Sequence, residues 1–274
     1  MIKTLLRRTP EVYKNYVAIC CIVKNENLYF DEWIDYHTQI GVSHFYVYDN
    51  ESVVPAAVTL AKYIKAGMVT VTEIKGKEKQ TTAYGMCLKT YGADCRWIAF
   101  IDVDEYIVPK TMNGSLPEFL LSYEKFAALG ISWLVFGSNG YEKKPDGLQV
   151  NNYTKRSLKT HSENDHIKSI VQPKFVVSPG TDPHHFVYQK KKFCVNENFE
   201  RINGARVLHT SNKIQINHYF LRSLEEFKRK IGRGRADLDV PRKLNEFYEI
   251  DKDANVIVDE AIIELKMLIQ ANKK

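Results

Sequence analysis

The sequence predicts an α/β fold, a mainly parallel central sheet with helices on both faces, followed by a more mixed C-terminal region. Three observations lead there. Continuous apolar runs recur through the first half, as in VAICCIV (17–23) and WIAFIDV (97–103), and such runs suit strands covered on both faces. Segments with apolar residues at helical spacing lie between them. The two alternate in order, as in βαβ units, which build parallel sheets.

The elements follow along the chain. After the first strand, YFDEWIDYHTQIG places Phe30, Trp33, Ile34, His37 and Ile40 on one helical face and stops at Gly41. HFYVY (44–48) is the second strand and ends in Asp49-Asn50. AAVTLAKYIKAG reads as a helix closed by Gly67, MVTVTEI as the third strand, and TTAYGMCLKTYG as a helix ending near Gly92. The fourth strand is 97–103. Ser115, Pro117 and Glu118 form a capping box with proline in the first turn, opening a helix to about Phe126. ISWLVFGSNG is a strand running into a glycine-containing loop. After about Tyr141 the regular alternation gives way to loops rich in Lys, Asn, His and Pro, with strands near IKSIVQPKFVV and KIQINHYF. Ser223 and Glu226 cap a helix ending around Gly232, and VIVDEAIIELKMLIQA predicts a terminal amphipathic helix. No repeat, low-complexity tract or linker interrupts 1–274, so a single domain with two halves, 15–140 and 141–274, is expected.

With 274 residues, 44% hydrophobic and 26% charged, the chain has the composition of a globular protein with a sizeable core. The formal charge of +6 suits an anionic ligand but is too diffuse to argue for nucleic acid. The cysteines at 20, 21, 87, 95 and 194 form no C-x-x-C pair and are odd in number, which predicts buried free thiols in a reducing compartment. The opening MIKTLLRRTPEVYKNY lacks an apolar core for a signal peptide, and no run of ~18 apolar residues occurs. A soluble, cytoplasmic protein without a transmembrane segment is expected, one that would reach any membrane-bound acceptor from outside the bilayer.

The most informative stretch is RWIAFIDVDEYIVP, in which an apolar strand runs into Asp102, Asp104 and Glu105. On a strand, Asp102 and Asp104 project to one side and Val103 to the other. Strand C-terminal ends are where open α/β sheets bind ligands. Two carboxylates there call for a cation, and a hard divalent ion, Mn²⁺ or Mg²⁺, would also bridge to substrate phosphates. A surface turn whose acids cap a helix would give the same D-x-D pattern; the apolar strand and the upstream βαβ half favour the ligand site.

With these residues in view, the chain resembles glycosyltransferases of the Rossmann-like GT-A fold, and family GT92 (the former DUF23 group) above all. The resemblance rests on CIVKNENLYFDEWIDYHTQIGVSHFYVYDNES, WIAFIDVDEYIVP, WLVFGSNGY, IKSIVQP and NHYFLRSLEEFKRKIGRG, which span about 17–235. It departs at FGSNGY, where a second serine and then a histidine are expected, and in having no membrane anchor. Soluble members of this kind belong to large algal viruses and bacteria, and in the viral case the compartment would be the host cytoplasm. The resemblance implies an inverting transferase that moves a sugar from a nucleotide-diphosphate donor, with UDP-xylose and UDP-galactose favoured, to a hydroxyl of an oligosaccharide or glycoprotein glycan, with Mn²⁺ or Mg²⁺ on the diphosphate. It implies a nucleotide-sugar-binding half (15–140) and an acceptor-side half (141–274), and no nucleic-acid partner.

Carried onto this sequence, the resemblance assigns Lys24, Asn25 and Glu26 to the base and ribose, although Asn and Glu also suit a helix cap. Asp49 resembles the acid that contacts uridine, and DNES also suits an Asx turn. Asp102 would meet the ribose or a metal-bound water, Asp104 the metal itself, and Glu105 would lie behind them. His218 in NHYF completes the metal site, with His209 as the fallback; a lone histidine on an apolar strand also fits the core. His184 and His185 would line the acceptor cleft. Lys168, and Arg233 from the basic run Lys228, Arg229, Lys230, Arg233 and Arg235, would neutralise the departing diphosphate, although most of that run also suits a solvated helix face. Asp165, Glu142 and Asp146 are the candidate general bases, undecided among themselves. Trp133, Phe136 and Tyr141 would stack on sugars or fill the core. Two other classes compete. A sugar nucleotidyltransferase would carry a glycine-rich phosphate loop, and CIVKNEN has no glycine; a non-catalytic carbohydrate- or nucleic-acid-binding protein would show a recognisable binding motif.

Overall fold

The computed structural model describes residues 12–110 and 112–272. The first strand, β1 (Asn15–Val23), shows why the fold forms. Its side chains alternate between two cores: Val17, Ile19, Cys21 and Val23 enter one cluster, and Ala18, Cys20 and Ile22 enter another on the opposite face. A strand apolar at every position is stable only when both faces are covered. Here α1 (Phe30–Gln39) supplies Phe30, Trp33 and Ile34 to the first face.

The chain continues through β2 (His44–Asp49), α2 (Ala56–Thr59), α3 (Ala61–Lys65), β3 (Val69–Glu73), α4 (Gln80–Tyr91), β4 (Cys95–Phe100), β5 (Glu105–Pro109), α5 (Leu116–Leu121) and β6 (Ala128–Val135). Helix α4 brings Ala83, Tyr84 and Cys87 to the second face. Beyond it come α6 (Gln149–Asn152), β7 (Lys155–Arg156), β8 (Ile167–Val171), β9 (Val176–Pro179), β10 (Phe186–Tyr188), β11 (Cys194–Val195), β12 (Arg201–Ile202) and β13 (Ile214–His218). The chain closes with α7 (Leu224–Arg233), α8 (Leu244–Asp251), β14 (Ile257–Val258) and α9 (Ala261–Ala271).

Among the described residues the main sheet has ten strands, in the order β12-β11-β6-β8-β4-β1-β2-β3, with β13 joining β6 to β5. The β1–β2, β2–β3, β1–β4, β6–β11 and β6–β13 ladders are parallel, and β8 runs antiparallel between β4 and β6. The expected α/β class with a mostly parallel sheet and helices on both faces is what the chain adopts. Its two halves share that sheet, because β8, β11, β12 and β13 from the second half pair with strands of the first. All five cysteines are free and buried. Among the described residues no helix is long and apolar enough to cross a membrane.

Several expected boundaries move. The fourth strand ends at Phe100, not at 103: the Asp102 carbonyl accepts the Glu105 N–H (3.0 Å) and the Glu105 carboxylate accepts the Asp102 N–H (3.0 Å), so the D-x-D lies on a tight turn between β4 and β5. The helix expected over 56–67 is two short ones broken near Leu60, next to the β-branched Val58 and Thr59. The helix expected to reach Phe126 stops at Leu121. The 167–177 strand is interrupted at Pro173, which has no N–H to give a ladder. The terminal helix begins only at Ala261, where Asp259 caps its first N–H, because Ile257 and Val258 pair with β7.

Candidate functional site

A cavity of about 880 Å³ opens at the C-terminal ends of β1, β4 and β6. It is built around the β4–β5 turn. Asp102 accepts from Lys168 Nζ at 2.7 Å and from Gln80 Nε2 at 2.9 Å. Asp104, only 7% exposed, accepts from Lys230 Nζ at 2.5 Å. Glu105 is fully buried; its Oε1 has no hydrogen-bond partner and lies 3.5 Å from Lys168 Nζ. Three carboxylates thus face two buried ammonium groups, leaving the cluster one positive charge short when all are ionised.

Burial opposes the charge on each, and the neighbours decide the outcome. Burial works against Asp104, but Lys230, with Arg222 behind it, outweighs it and holds its pKa well below the ordinary range. Burial likewise opposes Lys168, yet Asp102 and Glu105 hold it well above its ordinary value. Glu105, by contrast, is pushed well up by burial, with Asp102 and Asp104 adding to the shift against Lys168, and burial raises Asp102 as well. Burial, with Arg222 and Arg233 nearby, brings Lys230 down to about 8 against the pull of Asp104.

His218 stands across from Glu105 in the β13–β5 ladder. Its Nε2 lies 3.8 Å from Asp104 Oδ1 and 3.9 Å from a Glu105 oxygen, and its Nδ1 is buried without a partner. Those separations are too long for hydrogen bonds and leave room for an ion between the donors. Burial drives the imidazole pKa well down, so the ring is neutral, the form that ligates metals. Among the described residues no three His, Cys, Asp or Glu side chains form a closed metal cage. Asp104 Oδ1 and His218 Nε2 could serve as a partial donor set for an ion that takes its other ligands from a substrate phosphate.

A second charged network anchors the basic side. Glu26, 4% exposed, pairs with Arg222 (3.0 Å) and with Arg233, which also donates to the Lys24 carbonyl (3.2 Å). Arg222 lies over the Tyr29 ring, 3.5 Å from its centroid. Helix α7 carries Lys230 and Arg233 inward and starts in a capping box, where Ser223 and Glu226 exchange side-chain and backbone bonds. Beyond it, residues 234–243 cross the cavity rim, with Arg235 paired to Glu246 and Arg242 placed over Phe220.

The opposite wall is aromatic. Trp133 has His218 at 4.2 Å and His166 and His184 each at 5.1 Å between ring centroids, and its Nε1 is buried without a partner. His184 Nδ1 donates to the Ile167 carbonyl (2.9 Å), and burial together with the charge on Lys168 brings its pKa down to about 3.

The expected site residues divide accordingly. Lys24, Glu26, Asp102, Asp104, Lys168, His184, His218, Arg233 and Trp133 line one cavity. Asn25 and Asp49 do not: Asn25 takes φ +56 and caps the Val53 N–H, and both Asp49 oxygens accept backbone N–H groups, from Ser52 and Ala56. Asp165, Glu142 and Asp146 also lie off the cavity. His209 is held by Asn164 and Ser211 instead, and His185 pairs with Asp182. Phe136 is core, and Tyr141 packs on Tyr153. In the basic run, Arg229 pairs outward with Glu225, while Lys230, read only as one charge of a run that also suits a solvated face, binds Asp104. Gln80, Glu163, His166 and Arg242 also line the cavity and were not singled out from the sequence; no local pattern marks them, since each is brought in by tertiary packing.

Comparison with known proteins adds an independent line. A model of glycosyltransferase family 92 matches residues 14–270. A family 92 protein of Ricinus communis is 26% identical over 231 residues, covering 79% of this chain and 37% of its own. A family 92 protein of Oryza sativa subsp. japonica is 28% identical over 222 residues, covering 78% of this chain and 35% of its own. The galactan β-1,4-galactosyltransferase GALS2 of Arabidopsis thaliana is 28% identical over 219 residues, with 66% and 41% covered. The chain thus spans roughly a third of the length of the first two relatives. Among solved structures, S. aureus TarS (residues 1–349) aligns with a TM-score of 0.40 at 14% identity, over 58% of this chain and 47% of its own. With a family model matched along nearly its whole described length, the chain belongs to glycosyltransferase family 92.

Proposed function

We propose that this protein transfers a sugar from a UDP-sugar to a hydroxyl of a glycan acceptor, with inversion and with the aid of a divalent ion, Mn²⁺ or Mg²⁺. The observation that carries the reading is the pairing of Asp104, on the β4–β5 turn, with His218, at the end of β13, beside fixed cations in a cavity large enough for a nucleotide sugar. Family membership and the galactosyltransferase among the relatives support a glycosyl donor, with UDP-galactose first and UDP-xylose second.

When bound, the ion would neutralise charge on the diphosphate and polarise the bond to the sugar. The protein's own part is positional. Asp104 and His218 would hold the ion, and Lys168 stays charged in the cavity, fixed by Asp102. Arg233, fixed by Glu26, faces the same space. Cations immobilised before the reaction stabilise the charge that develops on the leaving group without reorganising.

Release of UDP from UDP-galactose and UDP-xylose tests the reading, with galactan oligosaccharides or water as acceptor. The wild-type chain is expected to release UDP, not pyrophosphate, and to lose the activity in chelator. Asp104→Asn is expected to release UDP at least about 100-fold more slowly, as befits a lost transition-state contact. Full activity in chelator, or in Asp104→Asn, contradicts it.

A further inference from the structure

We infer, resting on the glycosyl-transfer reading above, that His166 takes the proton from the attacking acceptor hydroxyl, with Glu163 as its positioning carboxylate. The three acids expected for that role lie off the cavity, whereas His166 and Glu163 both line it. The other acids at its wall include several already engaged. Asp182 accepts the His184 N–H and pairs with His185, Glu246 holds Arg235, and Glu78 accepts the Asp239 N–H.

The local bonds fix the imidazole. His166 Nδ1 lies 3.1 Å from the Glu163 carbonyl oxygen, which can only accept, so Nδ1 carries the hydrogen. Nε2 is then a lone pair, without a hydrogen-bond partner among the described residues, on a residue at the cavity wall. The Glu163 carboxylate stands 3.4 Å from Nδ1, placed to stabilise the ring once it gains a second proton. A carboxylate behind an imidazole plays that part in serine hydrolases too.

The indole of Trp133 sets the distance. His218 packs on it at 4.2 Å and His166 at 5.1 Å between centroids. The two imidazoles are therefore separated by no more than the sum of those spans. One marks the metal and diphosphate side and the other the incoming hydroxyl. His184 also touches the indole, but its burial and the charge of Lys168 both disfavour its protonation.

In the step itself, the hydroxyl proton moves to His166 Nε2 as its oxygen bonds to the anomeric carbon. The bond from that carbon to the phosphate oxygen breaks, and its electron pair leaves with UDP. The groups facing His166 are Glu163, Asp165 and Arg206 together with the His184 ring.

The test combines UDP release from UDP-galactose and UDP-xylose, with galactan oligosaccharides or water as acceptor, and calorimetric binding of UDP with Mn²⁺. His166→Ala is expected to slow release by 10²–10⁴-fold while UDP affinity stays within about twofold, and added imidazole is expected to restore part of the rate. Glu163→Gln removes a negative charge that raises the His166 pKa, so the acidic limb of kcat/KM should move to lower pH. Unchanged release in His166→Ala overturns this assignment alone, and loss in Asp237→Asn without loss in His166→Ala would move the role to the 234–243 segment. If the wild-type chain releases no UDP, the glycosyl-transfer reading fails, and this inference fails with it.

Discussion

Lys230 reaches Asp104 from 126 residues further along the chain, and the pair shows how the site is held before any ligand arrives. Asp104 is ionised at a buried position because an ammonium group lies against it. Removing one partner of a buried pair leaves the other uncompensated, typically at ~3–5 kcal/mol. Lys230→Met is therefore expected to lose about that much stability in chelator. Millimolar Mn²⁺ should restore most of the loss, since an ion at Asp104 and His218 supplies the missing positive charge and stabilises the folded state by mass action. Urea unfolding with and without Mn²⁺ checks this; a variant whose loss Mn²⁺ leaves untouched would place the ion elsewhere. At this scale the sequence showed part of the site. Asp102 and Asp104 were legible because carboxylates end an apolar run, and Lys168 and His218 through the family resemblance. The partner of Asp104 was not, since Lys230 sits in a basic run and only its place on the buried face of α7, with Phe227, distinguishes it. Asp49 was read through the resemblance, and here its turn chemistry occupies both oxygens.

Helix α1 ties the first core to the site, and His37 is its pH-sensitive point. Nδ1 donates to the Trp33 carbonyl (2.8 Å) and Nε2 accepts the Ile107 N–H (3.3 Å), so the neutral ring is fully satisfied. A proton on Nε2 would remove that acceptor inside the core. Burial accordingly brings the His37 pKa down to about 3, although the Trp33 carbonyl opposes the shift. The unfolded chain binds this proton near pH 6.5, so between about 6.5 and 3 it holds more protons than the folded one. The stability is fully present above pH 6.5 and is lost as pH falls toward 3, by a few kcal/mol for this one group. His184 adds in the same window. His37→Gln keeps a donor and an acceptor but gains no proton, so its stability should fall less steeply from pH 7 to pH 4 in urea titrations. An equal slope would mean that the ring is not neutral in the fold.

At the scale of the molecule, the cavity is assembled from segments that the sequence keeps far apart: the ends of β1, β4, β6 and β13, helix α7, and residues 234–243. That last segment spans the rim. Ala236 accepts the Gln80 N–H (3.2 Å), Glu78 accepts the Asp239 N–H (2.9 Å), and Lys77 pairs with Asp239 (3.0 Å). The two ties of Asp239 are exposed, and Arg235 and Arg242 beside them have buried Nε atoms without partners. A bound diphosphate would draw those guanidinium groups inward. UDP with Mn²⁺ is therefore expected to slow tryptic cleavage after Arg235, Arg242 and Lys243 about tenfold, while cleavage at Lys190–192 stays unchanged; equal rates would mean that the rim takes no part in binding.

The fold itself was largely legible, because strands apolar at every position demand a covered sheet and the helices between them show their spacing. The second half was less so. Its strands β8, β11, β12 and β13 are short and join the first-half sheet, and pairing across such distances leaves no local pattern.

The central claim is that a divalent ion is held by Asp104 and His218 where β4 ends and meets the diphosphate there. Anomalous diffraction at the manganese edge, from crystals grown with Mn²⁺ and UDP, tests it most directly. A single strong peak in contact with Asp104, His218 and both phosphates of UDP is the expected result. Ordered UDP in the cavity with the ion elsewhere, or with Lys230 still on Asp104 and no ion between, would contradict it.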